Sequence, residues 1–399
     1  MARKSILAVN AGSSSVKITF YTFEQSPKVI ANAQISGITA PPPTLKCSCG
    51  STQHKEELKE TLATPQDAFE YLIQRCLSDH GLSEVTSSED LAYICHRVVH
   101  GGDYNSDVVM DDETYHHLEE LEDLAPLHNF SALEIIRTCR KDFPSVKGIT
   151  FFDTAFHQTL PDYVKTYPIN QEVAKTNKLR KYGFHGISYS FILRSVAEFL
   201  NKPREQTNLI ALHIGSGASV CAMKDGKSID TTLVFHYTSD AGKLSPSSTK
   251  EMHISTAEEI LNKKSGWKAL TGTTDFSRIA VETPPSAEHR LAFDVLVDRI
   301  LGYMGSYFVK LGGKVDAVVF AGGIGEKSAL LRRTVIEKCA CLSFAIDSSA
   351  NDKGPADDQI VTNISKGTGN GPQILVCQTD EQYEMAYKCI TKYGPGSSS

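Results

Sequence analysis

Two spacings of apolar residues divide this chain into strands and helices. "SILAVNAGSSSVK" (residues 5–17) runs apolar up to a single Asn10, then turns through Gly12 and three serines. A short apolar run that ends in small polar residues reads as a buried strand and turn. Residues 16–23 read as the next strand. Residues 36–60 are polar and rich in Pro, Gly and Ser, which predicts a surface loop. Thr64, Pro65 and Asp67 have the cap, first-position and third-position chemistry of a helix start. Phe69, Leu72, Ile73, Cys76 and Leu77 then recur on one helical face, and Gly81 is the expected stop. A strand follows at 91–99, helices at 111–123 and 131–141, and a strand that ends at Asp153.

The second half has the same habit. A helix is expected at 188–200, strands at 208–213 and 220–223, and a long amphipathic helix at 287–311. "VDAVVFAGGIGE" reads as a strand and a Gly-rich turn, 327–340 as the helix after it, "QILVCQTDEQ" as the last strand, and 381–392 as the final helix. Strands alternating with helices make the fold class α/β. "NLIALHIGSGASVC" (208–221) also repeats the opening stretch: Ala211, Gly215 and Ser216 stand against Ala8, Gly12 and Ser13. Each copy opens one half, which points to duplication of a whole domain.

Length supports this reading, because 399 residues exceed what one hydrophobic core usually organises. A net charge of -6 without a basic block argues against nucleic acid or an anionic membrane as partner. The four-residue apolar stretch near the N-terminus is too short for a signal peptide, and no apolar run approaches ~18 residues. Ten scattered cysteines, with Cys47/Cys49 and Cys339/Cys341 as bare C-x-C pairs, read as buried or half-exposed free thiols of a reducing cytoplasm.

Three turns follow apolar strands: Asn10 to Ser15 with Lys17 near, His213-Ile214-Gly215-Ser216-Gly217, and Gly322-Gly323-Ile324-Gly325. Small residues there let backbone N–H groups approach a phosphate. Each alone reads equally well as a tight turn; the three together favour phosphate binding. None is a P-loop or a dinucleotide fingerprint. "HRVVHGG" puts Arg97 at a strand end, where its charge needs an anion or a structural ion pair. "FFDTAFH" puts Asp153 at another strand end, and "YGFHGIS" puts His185 between glycines. Acids at Asp153 and Glu381 could bind Mg2+ directly or through water. Together these residues favour phosphoryl transfer.

In this order, "NAGSSSVK", "HRVVHGG", "LAPLHN", "FFDTAFH", "KYGFHGIS", "HIGSGAS", "DGKSIDT", "FAGGIGE" and "QTDE" resemble the acetate kinase family, within the acetate and sugar kinase/Hsp70/actin superfamily. The resemblance spans residues 10–381. It implies two duplicated actin/hexokinase-like (ribonuclease H-like) domains around a central active-site cleft. The expected division is 1–155, completed by a C-terminal helix at 383–399, and a nucleotide-binding domain at 156–382. It further implies a cytoplasmic homodimer that transfers phosphoryl groups reversibly between ATP and acetate, giving ADP and acetyl phosphate. Mg2+ is the implied cofactor, with Mn2+ able to substitute.

Carried over by motif, Asn10 and Glu381 would hold the metal, and Arg97, Asp153 and His185 would be catalytic. Arg97, Val99, Leu127 and Phe184 would form the acetate site. Lys17, His213, Ile214, Gly215, Ser216, Gly217, Asp275, Phe276, Ser277, Gly323, Ile324, Gly325, Glu326 and Lys327 would contact the nucleotide. Ser216 stands where the family has Asn, Tyr189 where it has His, Ser277 where Arg is commoner, and Lys327 where it has Asn. These changes leave the donor open among ATP, another nucleotide and pyrophosphate. A propionate or short-chain acyl kinase, a non-catalytic member and an actin/Hsp70-like nucleotide switch are the other readings.

The resemblance breaks once. After "DGKSIDTT" the family continues with a lid-like segment of about twenty residues that bears a second catalytic Arg and a Pro of the acetate pocket, whereas here Thr232 runs into "LVFHYTSDAGK". The flanks on both sides keep the family pattern, so the natural protein is expected to carry the segment. Intact-mass measurement of protein from its own cells should exceed the mass of these 399 residues by about twenty residues. Agreement with the 399-residue mass would refute this.

Overall fold

In a computed structural model of the chain, the residues described are 5–12, 14–39, 41–50, 52–60, 62–78, 85, 87–121, 126–215, 217–232, 265–356, 358–367 and 371–394. The expected stop at Gly81 lies outside them. Two compact units result: residues 1–156, 186–188 and 380–399 form the first, and residues 157–185 and 189–379 the second.

The first unit is built on eight strands: β1 (Ser5–Ala11), β2 (Ser15–Thr22), β3 (Val29–Ser36), β4 (Thr44–Cys49), β5 (Thr52–Glu57), β6 (Leu91–Val98), β7 (Val108–Val109) and β8 (Lys147–Phe152). Their order is β5-β4-β3-β2-β1-β6-β8-β7. β1 runs parallel to β6, and β6 to β8, while β1, β2 and β3 pair antiparallel. β1 is apolar from Ile6 to Val9 because both faces of the sheet are covered. Leu7, Val9 and Ala11 join the core that includes Phe69, Leu72 and Ile135. Ile6 and Ala8 join the opposite core, with Met385, Ala386 and Cys389 of the helix Glu381–Tyr393.

The second unit repeats the plan with β9 (Leu209–Ile214), β10 (Ala218–Lys224), β11 (Lys227–Thr231), β12 (Ala317–Ala321), β13 (Val361–Asn363) and β14 (Gln373–Cys377), ordered β11-β10-β9-β12-β14-β13. Again the first three strands are antiparallel, and β9, β12 and β14 are parallel. The α/β duplication inferred from the repeated stretch is therefore present at the level of strand order. The long helix Ala287–Lys310 packs Phe293, Val297, Ile300, Met304 and Tyr307 into a core with Ile210, Leu212 and Ile214. Among the described residues, no helix is long and apolar enough to cross a membrane. None of the ten cysteines is joined in a disulfide; seven are buried, and Cys341 is exposed.

Three of the expected elements differ from the sequence reading. The loop expected at 36–60 contains the hairpin β4–β5, turned by Gly50 at φ +56°. β5 is exposed along nearly its whole length, so it lacks the apolar alternation by which strands are recognised. The Gly-rich turn after β12 is itself a short helix, Gly322–Lys327, followed by a second at Ala329–Lys338. The helix expected at 131–141 also starts earlier, with Pro126 as its first residue.

Gly322 sits at φ +74°, and a β-carbon there would meet the Ile214 carbonyl at 2.8 Å. Gly322→Ala should therefore cost roughly 1–3 kcal/mol, read as a lower urea midpoint for the second unit. A midpoint equal to the parent's would show that the β9 end yields without cost.

Candidate active site

The parallel strands of the first unit end in polar or charged side chains. Asn10 lies near the end of β1, Arg97 near the end of β6, and Asp153 directly after β8. Because β1, β6 and β8 are neighbours, three residues far apart in sequence meet. The carboxyl ends of parallel strands are where α/β sheets place ligands. Arg97 donates from Nη2 to Asp153 Oδ2 at 2.7 Å and from Nε to the same oxygen at 3.3 Å. Its Nη1 donates to Asn10 Oδ1 at 3.1 Å and lies 3.2 Å from Glu381 Oε2.

Glu381 arrives from the start of the last helix. Asn10 Nδ2 donates to its Oε2 at 2.7 Å, and Ser188 Oγ to its Oε1 at 2.7 Å. Asp153 is fully buried, and the Ile187 N–H approaches its other oxygen at 3.4 Å. Burial pushes the Asp153 carboxyl above its ordinary pKa, and Arg97 partly opposes that. Burial also works against the Arg97 charge, but Asp153 and Glu381 outweigh it and hold its pKa above the ordinary value. Gly186 must be glycine, since a β-carbon would fall 1.9 Å from the Asp153 carbonyl.

The "HGG" turn after Arg97 is held in place separately. The His100 N–H donates to Asn129 Oδ1 at 3.0 Å, Asn129 Nδ2 to the His100 carbonyl at 2.8 Å, and the Gly101 N–H to Thr154 Oγ1 at 3.0 Å. Val99, half-buried, lies between Val98 and this turn. Lys17 is half-buried on β2, directly opposite Asn10.

The second unit offers glycines and histidines. His213 and Ala321 are register partners at the ends of β9 and β12, and the two turns that follow adjoin: a β-carbon on Gly215 would lie 3.8 Å from Gly323 N. His185 precedes the helix Gly186–Phe199 at φ +57°, a left-handed conformation that costs energy in a non-glycine residue. Its Nδ1 is 2.7 Å from Ser219 Oγ, and its ring stacks on His213 at 4.3 Å. A β-carbon on Gly217 would lie 3.2 Å from His185 Nε2, so that nitrogen faces the glycine turn.

Some of the other residues expected to contact the nucleotide have partners within the second unit. Phe276 is a core residue, its ring 4.9 Å from that of Trp267. Asp275 accepts from the Ser277 N–H at 3.0 Å and the Ser277 hydroxyl at 2.6 Å, so the two close a local turn. Glu326 accepts from the Thr379 N–H and hydroxyl, both at 3.3 Å, while Ile324 is half-buried, Gly325 buried, and Gly323 and Lys327 exposed. Ser216 and the Leu127 side chain lie outside the described residues. Sequence reasoning did not single out Ser188, Asn129, Thr154 or Ser219 as site residues. All four sit inside the motifs it quoted, one to three positions from residues it did choose.

The acetokinase family profile matches residues 5–387. A probable acetate kinase of Emericella nidulans is 66% identical, with 99% of each chain covered. That alignment runs over 416 positions against 399 residues here, so at least 17 positions of the relative have no counterpart in this chain. Among solved structures, an acetate kinase of Porphyromonas gingivalis is 29% identical with a TM-score of 0.80, covering 97% of this chain and 99% of its own. A propionate kinase of Francisella tularensis is 30% identical with the same TM-score of 0.80, covering 96% and 98%.

His157 anchors the loop that carries Phe184. Its Nε2–H donates to the Phe184 carbonyl at 3.0 Å, and Ser228 Oγ lies 2.8 Å from Nδ1. Burial pushes its pKa down from 6.5 to about 4, and burial pushes His96 in the first unit to about 3. Unfolded histidines would take up protons below 6.5 while the folded ones stay neutral, so stability is full above that pH and falls toward 4. Thermal midpoints should drop over this window, and His157→Gln should flatten part of the drop in the second unit. An unchanged slope in that variant would rule out the His157 contribution.

Proposed function

The chain belongs to the acetokinase family, and from that premise we propose that it transfers the γ-phosphoryl group of ATP reversibly to acetate, forming acetyl phosphate and ADP. The observation that carries the reading is the Arg97 guanidinium, fixed by Asp153, Asn10 and Glu381 at the ends of adjacent parallel strands. In this reading the first unit handles the acyl group, with Val99 bordering the site, and the second unit handles the nucleotide. Phosphoryl transfer asks the protein mainly to position oxygens and balance their charge. Arg97 is suited to the acyl phosphate, and His185, through Nε2, to the transferring phosphoryl group.

Asp153 has a narrower part than a general base. Acetate is already a carboxylate at neutral pH, so its attacking oxygen has no proton to lose. Both of the Arg97 contacts to Asp153 fall on one buried oxygen. Asp153 therefore orients Arg97 and fixes its charge.

The donor set fits a lightly held Mg2+. Arg97, Asp153 and Glu381 carry one net negative charge when both acids are ionised, and Asn10 adds an amide oxygen. Among the described residues no three His, Cys, Asp or Glu side chains converge as a metal cage. Mg2+ commonly keeps its waters and substrate phosphates and takes only one or two protein ligands. Glu381 and Asn10 are those ligands in this reading. The ion would supply charge neutralisation of the phosphates, and Mn2+ would serve in its place.

The test uses the natural protein with ATP, Mg2+ and acetate, following ADP formation. Turnover should require all three, and propionate should be used with a kcat/KM lower by about 10- to 200-fold, the reach of one methylene. Arg97→Lys and Asp153→Asn should each lower kcat/KM by about a hundredfold or more, since lysine loses the bidentate fork and asparagine leaves a largely buried guanidinium short of its counter-charge. Acetate-independent ATP hydrolysis at the same rate, or full activity in Asp153→Asn, would sink the reading.

A further inference from the structure

Tyr189 occupies the position where the family pattern has histidine. Its ring is fully buried in the helix Gly186–Phe199, one turn beyond His185. Its hydroxyl lies 2.7 Å from Ser219 Oγ, and the same oxygen of Ser219 lies 2.7 Å from His185 Nδ1. Burial keeps the Tyr189 phenol protonated. Ser219 is the register partner of His213 across β9 and β10, so one strand pair fixes the hydroxyl between Tyr189 and His185 and the ring on which His185 stacks.

From this geometry we infer that Tyr189 is a positioning residue: acting through Ser219, it holds His185 in the neutral tautomer whose proton is on Nε2. The direction follows from donor strength along the chain: the phenol is the more acidic O–H, so the Tyr189 proton turns to Ser219 Oγ, and the Ser219 proton turns to His185 Nδ1. A neutral imidazole that accepts at Nδ1 carries its hydrogen on Nε2. That nitrogen faces the Gly217 turn, so the donor is presented where phosphate oxygens are expected. A charged imidazolium is not needed, and the stacked His213 ring does not have to face a second cation.

The inference rests on reading His185 as a donor to the transferring phosphoryl group, and its test separates the two. Nitrogen NMR of histidine-labelled protein reports the tautomer without turnover, and among the 13 histidines His185 is assigned by its loss in His185→Gln. The unmodified protein should show protonated Nε2 and bare Nδ1 at His185. Tyr189→Phe should yield a mixture of tautomers and a kcat lower by roughly 3- to 10-fold, the size of one lost hydrogen bond, with the KM for ATP nearly unchanged. Ser219→Ala should do at least as much, and adding Tyr189→Phe to it should change little further. Protonated Nδ1 in the unmodified protein overturns the relay even if neither variant folds. So does a folded Tyr189→Phe with the parental His185 spectrum. A shifted tautomer with unchanged kcat upholds the relay and instead removes His185 from the chemistry.

Discussion

The first unit is organised around a positive charge largely withdrawn from water, since the Arg97 side chain is 17% exposed. A guanidinium withdrawn from water is tolerable only where carboxylates and carbonyl oxygens replace its hydration. Arg97 finds Asp153, Glu381 and the Asn10 amide within 3.3 Å. That requirement reaches through the topology. It needs β1 beside β6 and β6 beside β8, so that three strand ends coincide. It needs the last helix to return across the sheet, so that a residue 371 positions from Asn10 can meet it. It also needs Gly186, because any side chain there would strike the backbone that carries Asp153. The close packing of Met385, Ala386 and Cys389 under β1 and β6 is what sets Glu381 at the right height.

The duplicated sheet serves a different purpose in the second unit. Asn10 stands opposite Lys17 in the first hairpin, and His213 stands opposite Ser219 in the second. Four residues, 12–15, close the first turn between paired strands, and only three, 215–217, close the second. Equivalent positions therefore drift by one after the turn: Ser219, not the residue at a constant offset, is the structural counterpart of Lys17. One frame thus presents an amide and a lysine in one unit, and two stacked histidines with a serine in the other. The repeated turn is shared architecture whose chemistry has diverged.

This drift also explains which parts could be read from the sequence. The buried strands were legible because their apolar runs are dictated by cover on both faces, as at Ile6 to Val9. Arg97 and Asp153 were legible because a charge that ends an apolar strand is costly without a purpose. The hairpin β4–β5 was not, since its outer strand meets no core and keeps polar residues on both faces. Asp275, Phe276 and Ser277 were chosen by motif, yet the phenylalanine is a core residue and the other two hydrogen-bond each other. Ser188 and Ser219 escaped notice because a serine inside a motif has no periodic or charge signal. Their importance lies in 2.7 Å contacts with residues in another segment of the chain.

Within each unit, then, the groups proposed to act are held by bonds that exist before any ligand arrives. Arg97 cannot rotate away without stranding Asp153 in an apolar interior, and His185 is fixed by its backbone, by Ser219 and by the His213 ring. The left-handed backbone at His185 costs on the order of 1 kcal/mol, and it persists because these contacts over-determine it. Ordering met at folding does not have to be met again at binding or in the transition state. For a reaction in which the protein makes no covalent bond, such preorganised charge and direction are the main means of lowering the barrier. On that argument the serines beside Glu381 and His185 matter as much as the charged groups, because they fix where an oxygen or a proton stands.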